Sequence, residues 1–218
     1  MKNNKTNFMF RNRTEAGMLL AEKLKKYKRE GTAVLAVPRG GVPVAYHVAK
    51  ELECPLDIVL TKKIGHPVNK EYAIGAAGLT DYFVIPHENV PEEYIRHEVK
   101  KIRHRLKEMY SKFMPGKEPE DVKDKTVLVI DDGIATGNTM LGIVSMLRKQ
   151  QPAKIVIAVP VASAEAVKKL SGMADEVIVL LVPEIFYGVG AFYEDFEQVN
   201  DLEVMLELDK MRELKKAG

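Results

Sequence analysis

The chain reads Val127-Leu-Val-Ile-Asp-Asp-Gly-Ile-Ala-Thr-Gly-Asn-Thr139 past its middle, and this stretch decides the fold. Its first four residues are uniformly apolar, which is typical of a strand buried on both faces of a parallel sheet. Two carboxylates, Asp131 and Asp132, follow at the carboxyl end of that strand, where open α/β sheets bind their ligands. Small residues and hydroxyls then precede a helical pattern, so backbone N–H groups and the helix dipole can converge on a phosphate. The stretch therefore predicts a strand, an anion-binding loop and a helix.

The same alternation of apolar runs and helical patterns extends in both directions from this stretch. Strands are predicted at 33–37, 56–60, 127–130, 155–159 and 177–181. Helices are predicted at 14–24, 42–52, 140–147 and 163–170, and Thr14 is the predicted N-cap of the first one. Continuous β-branched runs that alternate with helices are typical of a parallel sheet covered on both faces. We therefore predict an α/β fold with a doubly wound, mostly parallel sheet.

Two segments depart from this alternation. Residues 73–85 place glycines between short apolar pieces, which predicts an antiparallel hairpin. From about Pro91 to Phe113 an apolar stripe at helical spacing predicts a long, inserted amphipathic helix. Its other face is basic and contains Arg96, His97, Lys100, Lys101, Arg103, His104, Arg105 and Lys107. Such a face is most simply a solvated surface, and contact with an anionic ligand or nucleic acid is the alternative.

Composition limits the class of protein. The 218 residues suit one domain, and 33 Lys+Arg against 31 Asp+Glu give a formal charge of +2, which argues against nucleic acid or an anionic membrane as a general partner. Cys54 is the only cysteine, so an internal disulfide and a cysteine-built metal site are excluded. The polar start of the chain lacks the apolar run of a secretory signal, and no run of about 18 apolar residues follows. We expect a cytoplasmic protein without membrane contact.

The Asp-Asp stretch also identifies a family. Four apolar residues, Asp-Asp, two small or apolar residues, Ala, Thr-Gly and Thr resemble the 5-phosphoribosyl-1-diphosphate (PRPP) signature of type I phosphoribosyltransferases. The resemblance implies that Asp131 and Asp132 hold the ribose 2′- and 3′-hydroxyls, because carboxylates accept hydroxyl protons well. It also implies that the 5′-phosphate is bound by Ala135, Thr136, Gly137, Asn138 and Thr139.

Other phosphate chemistries lack their motifs here. No Gly-Lys-Ser/Thr follows the loop and no Gly-x-Gly-x-x-Gly follows the first strand, so ATPase and dinucleotide-binding functions lose their main support. An aspartyl phosphatase would need an Asp-x-Asp spacing, whereas Asp131 and Asp132 are adjacent and point to opposite sides of a continuing strand.

A second loop, Pro38-Arg-Gly-Gly-Val-Pro43, follows the first predicted strand. Glycines permit unusual backbone geometry beside a bulky anion, and Arg39 can donate charge-assisted hydrogen bonds. By resemblance this is the pyrophosphate loop, which often contains a non-proline cis peptide, and Arg39, Gly40 and Gly41 would clamp the diphosphate. Lys62 and Lys63 resemble the basic residues that approach pyrophosphate beside a mobile catalytic loop, which we place at 64–78; an exposed basic turn is the alternative.

The segment Pro183-Glu-Ile-Phe-Tyr-Gly-Val-Gly-Ala-Phe-Tyr-Glu-Asp-Phe196 combines glycines with aromatic residues and predicts a nucleobase pocket. Phe186 or Tyr187 would stack on a flat heterocycle, and Glu194 or Asp195 would accept from a ring N–H. The segment is loosely similar to the hood of 6-oxopurine phosphoribosyltransferases, but residues 159–163 lack the lysine with which that hood recognises a purine. Aromatic residues that close a small core are the alternative.

Over nearly its whole length the chain resembles a bacterial and archaeal group of phosphoribosyltransferases. This implies one domain over 1–218, with a core at about 30–182, hood elements at 1–29 and 183–218, and the inserted helix at 91–113. The implied reaction moves the 5-phosphoribosyl group from PRPP to a nitrogenous base or other heterocycle and releases pyrophosphate. The residues assigned to catalysis are Asp131, Asp132, Arg39 and Lys63.

The same resemblance implies a cofactor and an assembly. Mg²⁺ would be held mainly through PRPP and water, with no dedicated protein ligand. The implied assembly is a homodimer or higher homo-oligomer. The alternative function is a PRPP-binding regulatory protein that uses its basic helix to bind nucleic acid or a protein partner.

Overall fold

The structure is a computed structural model that describes residues 9–29, 31–85 and 90–217. The elements along the chain are α1 (Arg13–Leu24), β1 (Thr32–Ala36), α2 (Gly41–Leu52), β2 (Leu56–Ile58), β3 (Thr61–Gly65), β4 (Ala73–Gly78), β5 (Tyr82–Val84), α3 (Glu92–Phe113), β6 (Thr126–Ile130), α4 (Asn138–Lys149), β7 (Lys154–Val161), α5 (Ala164–Leu170), β8 (Glu176–Leu181) and α6 (Asp201–Ala217). None of the described helices combines the length and apolar composition that a bilayer span requires.

The main sheet contains five parallel strands in the order β2-β1-β6-β7-β8. The strand order reverses at β1, which pairs with β2 on one side and with β6 on the other. Ligands of open parallel sheets bind at the carboxyl ends of strands beside such a reversal. The loops after β1 and β6 are thus neighbours, and the predicted mostly parallel sheet is confirmed.

Alternate residues of the central strands contribute to two separate cores. Leu128 and Ile130 of β6 pack with α1, α2, α3 and α6, while Val127 and Val129 pack with α4 and α5. Because both faces are covered by helices, each strand is apolar at successive positions rather than at every second one. This explains why the predicted strands appear as continuous apolar runs.

Helix α1 begins one residue before the predicted N-cap. Asn12, not Thr14, caps the helix, and its side chain accepts a hydrogen bond of 3.0 Å from the Glu15 N–H. Asparagine is a stronger N-cap than threonine, which lies here within the first turn. The earlier start makes Arg13 the first helical residue.

The glycine-containing segment at 73–85 forms the predicted hairpin. Strand β4 pairs antiparallel with β5 and, on its other edge, with β3, so that a second sheet of three strands results. The segment at 64–78, expected to be a mobile loop, is therefore largely a hairpin in which residues 66–72 connect β3 to β4. A Cβ at Gly75 would lie 2.2 Å from the Phe83 carbonyl oxygen, so this close strand contact requires glycine.

The long helix α3 has the predicted position and amphipathic character. Its buried residues are Val99, Ile102, Leu106, Tyr110 and Phe113. The buried carboxylate of Asp57 in β2 accepts hydrogen bonds from the Tyr110 hydroxyl at 2.9 Å and from the Glu120 N–H at 2.7 Å. Burial and the nearby Asp57 raise the pKa of Tyr110, which keeps it a neutral donor. These bonds fix the second half of α3 against the main sheet.

Residues near both ends of the described chain pair with each other. The Phe10 N–H donates to the Phe192 carbonyl at 2.9 Å, and the Glu194 N–H donates to the Phe10 carbonyl at 2.8 Å. Phe10 and Tyr193 are buried and pack on Val161 at the end of β7. We call the segments 9–12 and 183–199 the hood. Residues 1–8, which the predicted hood includes, lie outside the described residues.

Candidate active site

A cleft of about 610 Å³ opens at the carboxyl ends of β1 and β6. Five residues predicted as site residues line it, namely Arg39, Gly40, Lys62, Asp132 and Thr139. Residues of α1, α3 and the hood complete its walls, namely Arg13, Leu106, Met109, Phe113, Phe196, Gln198 and Val199. The cleft therefore joins the loops of the main sheet to elements that are distant in sequence.

The adjacent aspartates occupy the end of β6. The Asp132 Oδ2 atom accepts from Nε of Arg13 at 2.9 Å and lies 2.8 Å from Nη2 of the same guanidinium. Oδ1 of Asp131 accepts from the Asp132 N–H at 2.9 Å, and the Tyr193 hydroxyl donates to the Asp132 carbonyl at 2.6 Å. Backbone, hood and α1 thus hold the two carboxylates in place.

Burial changes the proton affinity of both carboxyl groups. It raises the pKa of Asp131 well above the ordinary aspartate value, and the neighbouring charge of Asp132 raises it further. Burial also raises the pKa of Asp132, although the Arg13 guanidinium acts in the opposite direction. A carboxylate that has lost water gains most from new hydrogen-bond donors. The pair is therefore suited to hydroxyl donors of a ligand.

The loop after β1 packs directly against these aspartates, and its Pro38–Arg39 peptide bond is cis. A Cβ at Gly40 would lie 2.0 Å from Oδ2 of Asp132, and one at Gly41 would lie 2.7 Å from the Ile130 carbonyl oxygen. The sequence interpretation assigned these glycines to unusual backbone geometry, which is wrong for Gly40, since its φ of −60° and ψ of −31° are ordinary helical values. Glycine is required there because two loops share little space.

The Arg39 side chain lines the cleft and forms an ion pair with Asp201 at the start of α6. Its Nε lies 2.7 Å from Oδ1 of Asp201, and Oδ2 of Asp201 accepts from the Lys112 ammonium at 2.6 Å. The two cations lower the pKa of Asp201, with the Lys112 hydrogen bond as the largest cause. The anchor connects the loop after β1 to α3 and α6.

The loop at 135–139 leads into α4. Gly137 is its N-cap with a φ of +73°, a left-handed value that favours glycine. The Ser163 hydroxyl donates to the Ala135 carbonyl at 2.6 Å, and the Lys169 ammonium donates to Oδ1 of Asn138 at 2.5 Å. Within the described part of the chain, no protein group accepts from the N–H groups of residues 135–139. These N–H groups at the start of α4 are therefore free to donate to a ligand.

The two lysines of β3 lie in different surroundings. Lys62 lines the cleft, whereas the Lys63 ammonium lies 2.7 Å from Oε2 of Glu71 and is not among the cleft residues. Successive side chains of a strand point to opposite faces, which separates the two. The structure therefore brings Lys62, and not the predicted catalytic Lys63, to the other cleft residues.

The aromatic residues of the hood divide between packing and the cleft. Phe186 stacks on Phe192 with ring centroids 5.6 Å apart, and Tyr187 is 78% exposed. Asp195 donates its N–H to the Arg11 carbonyl and lies outside the cleft lining, as does the exposed Glu194. The structure does not bring these predicted base-binding residues to the cleft.

Phe196 is the hood aromatic that lines the cleft, and it was missed together with Arg13 and Gln198. The Arg13 guanidinium lies 3.9 Å from the centroid of the Phe196 ring, and its Nη1 donates to the Glu197 carbonyl at 2.8 Å. With Asn12 as the N-cap, Arg13 is a cation at the first helical position, where it opposes the helix dipole. Such a position indicates a compensating anion, which is Asp132.

Comparison with known proteins identifies related chains. The family description "Phosphoribosyl transferase domain" matches residues 12–196. The Mycobacterium tuberculosis protein named "Putative phosphoribosyl transferase Rv0571c" is 34% identical over 216 residues, which cover 96% of this chain and 49% of the relative, and its counterpart MT0597 in a second strain gives the same values. The chain thus spans about half the length of the curated relatives it matches.

A solved structure extends the similarity to three dimensions. The protein TT1426 from Thermus thermophilus is 39% identical, with a TM-score of 0.84 over 94% of this chain and 99% of that chain. The family match begins at Asn12, the cap that places Arg13, and ends at Phe196, on which Arg13 stacks. The chain belongs to the phosphoribosyl transferase domain family.

Proposed function

We propose that this chain is a PRPP-dependent phosphoribosyltransferase that moves the 5-phosphoribosyl group to a nitrogenous base or other heterocycle and releases pyrophosphate. One observation carries the proposal. The cleft is lined by Asp132 of the carboxylate pair, by Arg39 and Gly40 of the glycine loop, and by Thr139 of a helix start with unused N–H groups. These three groups match the hydroxyls, the diphosphate and the 5′-phosphate of one PRPP molecule.

The residues act chiefly by positioning PRPP. Asp131 and Asp132 accept the ribose hydroxyls, the loop at 135–139 receives the 5′-phosphate, and Arg39 with Lys62 stabilises the diphosphate. The bond between C1′ and the diphosphate oxygen breaks while a bond from the acceptor nitrogen to C1′ forms on the opposite face. The bonding electron pair leaves with pyrophosphate, and the acceptor loses a proton. Cations on the leaving group lower the barrier because they match the charge that develops there.

The side chains of the cleft fit a Mg²⁺ that enters with PRPP. In the described residues, no three His, Cys, Asp or Glu side chains are placed to hold a metal ion, and Asp132 is already paired with Arg13. Asp131 is the carboxylate left to contact such an ion directly or through water. When bound, Mg²⁺ would supply positive charge to the diphosphate oxygens.

The acceptor site follows from the walls of the cleft. Phe196 lines the cleft with its ring against the Arg13 guanidinium, and α3 contributes the apolar side chains of Leu106, Met109 and Phe113. Aromatic and apolar walls with a few polar groups favour a flat heterocycle. Phe196 replaces Phe186 and Tyr187 in this assignment.

Two further properties belong to the proposal. The chain is assigned one domain over 1–218 and a cytoplasmic location, as its composition predicts. The assembly is a homodimer or higher homo-oligomer, as the family resemblance implies.

Calorimetric titration of PRPP with Mg²⁺, followed by a pyrophosphate-release screen over nitrogen heterocycles, tests the function. We expect PRPP binding, and release with one acceptor class. The variant Asp131→Asn/Asp132→Asn should lose PRPP binding. Asp209→Asn is its control, because Asp209 pairs with Arg212 on the surface of α6. Release that depends on an acceptor establishes the transferase, binding without release for every acceptor contradicts it, and absence of PRPP binding overturns the site.

A further inference from the structure

A second concave surface lies on α3, away from the cleft. It encloses about 420 Å³ and is lined by the buried Val99 and by six further residues, Tyr82 of β5 and Arg96, Lys100, Arg103, His104 and Lys107 of α3. We call these six residues the basic groove. They share no residue with the cleft, to which the same helix contributes Leu106, Met109 and Phe113.

The cations of the basic groove form one row. Arg96, Lys100, Arg103 and Lys107 are spaced by four, three and four residues, which places them on one helix face. At a rise of 1.5 Å per residue the row is about 16 Å long. A single phosphate group is too short to contact the whole row, so its length favours a chain of phosphates.

Protein carboxylates neutralise only the margins of this row. Oε2 of Glu92 lies 3.6 Å from Arg96, and Oε1 of Glu108 lies 3.4 Å from His104. Across the described ranges, Lys100, Arg103 and Lys107 form no ion pair with a carboxylate. The centre of the row is thus positively charged and uncompensated, although the whole chain carries a formal charge of only +2.

The lining of the groove includes an aromatic ring with two cations near it. The Tyr82 ring centroid lies 5.8 Å from the Arg103 guanidinium carbon and 5.5 Å from the Lys149 ammonium nitrogen, and Tyr82 is 38% exposed. Aromatic rings beside a basic row stack on nucleobases without sequence preference. A partly exposed ring can stack only on a base that is not enclosed in a duplex, which favours a single strand.

We propose that the basic groove binds a single-stranded segment of nucleic acid, with phosphates along the row and a base against Tyr82. The interaction is independent of PRPP binding and of the proposed reaction. This helix face would then be a binding surface and not only a solvated one. The nucleic acid would contact the four cations of the row and would not depend on the net charge of the protein.

Fluorescence anisotropy of a labelled 12-nucleotide RNA and its DNA counterpart with the full chain tests this assignment over a salt series. We expect log affinity to fall linearly with log salt concentration with a slope of roughly −2 to −3, since each phosphate contact to a single strand contributes about −0.7. The double variant Lys100→Gln/Lys107→Gln should bind roughly tenfold more weakly and reduce the slope by about 1.4. Lys101→Gln/Arg105→Gln, the same charge change on another exposed face of α3, should bind within twofold of wild type.

Tyr82→Leu separates a base contact from simple charge attraction. We expect this variant to lose affinity for the oligonucleotide but to keep its affinity for inorganic polyphosphate of similar length. An equal loss of affinity in Lys100→Gln/Lys107→Gln and in Lys101→Gln/Arg105→Gln would overturn the groove assignment. Undetectable binding at low salt would overturn it as well. An oligonucleotide affinity unchanged in Tyr82→Leu would overturn the base contact. Circular dichroism verifies the fold of each variant.

Discussion

The loops at the carboxyl ends of β1 and β6 and the hood contribute to the same cleft but are built in opposite ways. Each loop continues a buried parallel strand, and the two touch because their strands are paired. The hood joins segments about 180 residues apart through a few backbone hydrogen bonds and stacked rings. Residues on strand ends are placed by local sequence, whereas Arg13 reaches Asp132 only through long-range packing.

The carboxylate pair tests the part of the cleft that the strands place. Asp131→Asn/Asp132→Asn should lower PRPP affinity by at least roughly 100-fold, because each hydrogen bond to a charged acceptor contributes about 1.5–3 kcal/mol. Calorimetry measures the affinity, and circular dichroism verifies the fold. Full PRPP affinity in the double variant would contradict the ribose assignment.

Close contact between the two loops should appear as a stability requirement. In Gly41→Ala the new Cβ meets backbone atoms of Ile130 and Asp131, which cannot rotate away. We expect the free energy of unfolding to fall by about 1–3 kcal/mol. Gly172→Ala is the matched control, since its nearest atom lies 4.0 Å away, and it should change stability by less than about 0.5 kcal/mol. Similar urea midpoints for the two variants would mean that the loops are not tightly packed.

The two lysines of β3 separate a cleft position from a neighbour in sequence. Lys62→Gln should lower PRPP affinity about tenfold, through the loss of one charge-assisted interaction with the diphosphate. Lys63→Gln should leave the affinity within about twofold, because Lys63 pairs with the exposed Glu71. The reverse order in calorimetry would return the pyrophosphate contact to Lys63.

The smallest effect is expected at the hood, in the pH dependence of binding. Arg13 lowers the pKa of Asp132 against the effect of burial, so Arg13→Gln should raise that pKa. Asp132 is then protonated at a higher pH and loses its role as a charged acceptor. The acid limb of PRPP affinity should therefore move to higher pH, while affinity at pH 8 should stay within roughly threefold, or about 0.7 kcal/mol.

Arg11→Gln serves as the control for that pH profile. Arg11 pairs with Glu15 on the surface of α1, at a distance of 2.7 Å, and its side chain is not among the cleft residues. Its acid limb should coincide with that of the wild type. An unshifted limb in Arg13→Gln would show that the guanidinium does not control the protonation of Asp132.

The loops at the strand ends could be predicted from the sequence, whereas most contacts of the hood could not. Local sequence patterns predict the main sheet, the hairpin and α3, because apolar runs define each element over a few residues. The same patterns place Asp132, Gly40 and Thr139, since each follows directly after a strand or begins a helix. Phe196 was missed among several similar aromatic residues, since only packing decides which ring faces the cleft. Lys62 and Lys63 could not be separated, because their assignment depends on the register of a three-stranded sheet.

The contact between position 40 and Oδ2 of Asp132 also limits how the family can vary. A Cβ at position 40 would lie 2.0 Å from that oxygen, so the two residues occupy one volume. A larger side chain at position 40 is then tolerated only together with a smaller residue or another rotamer at position 132. We therefore expect a side chain at position 40 to occur only where position 132 has also changed.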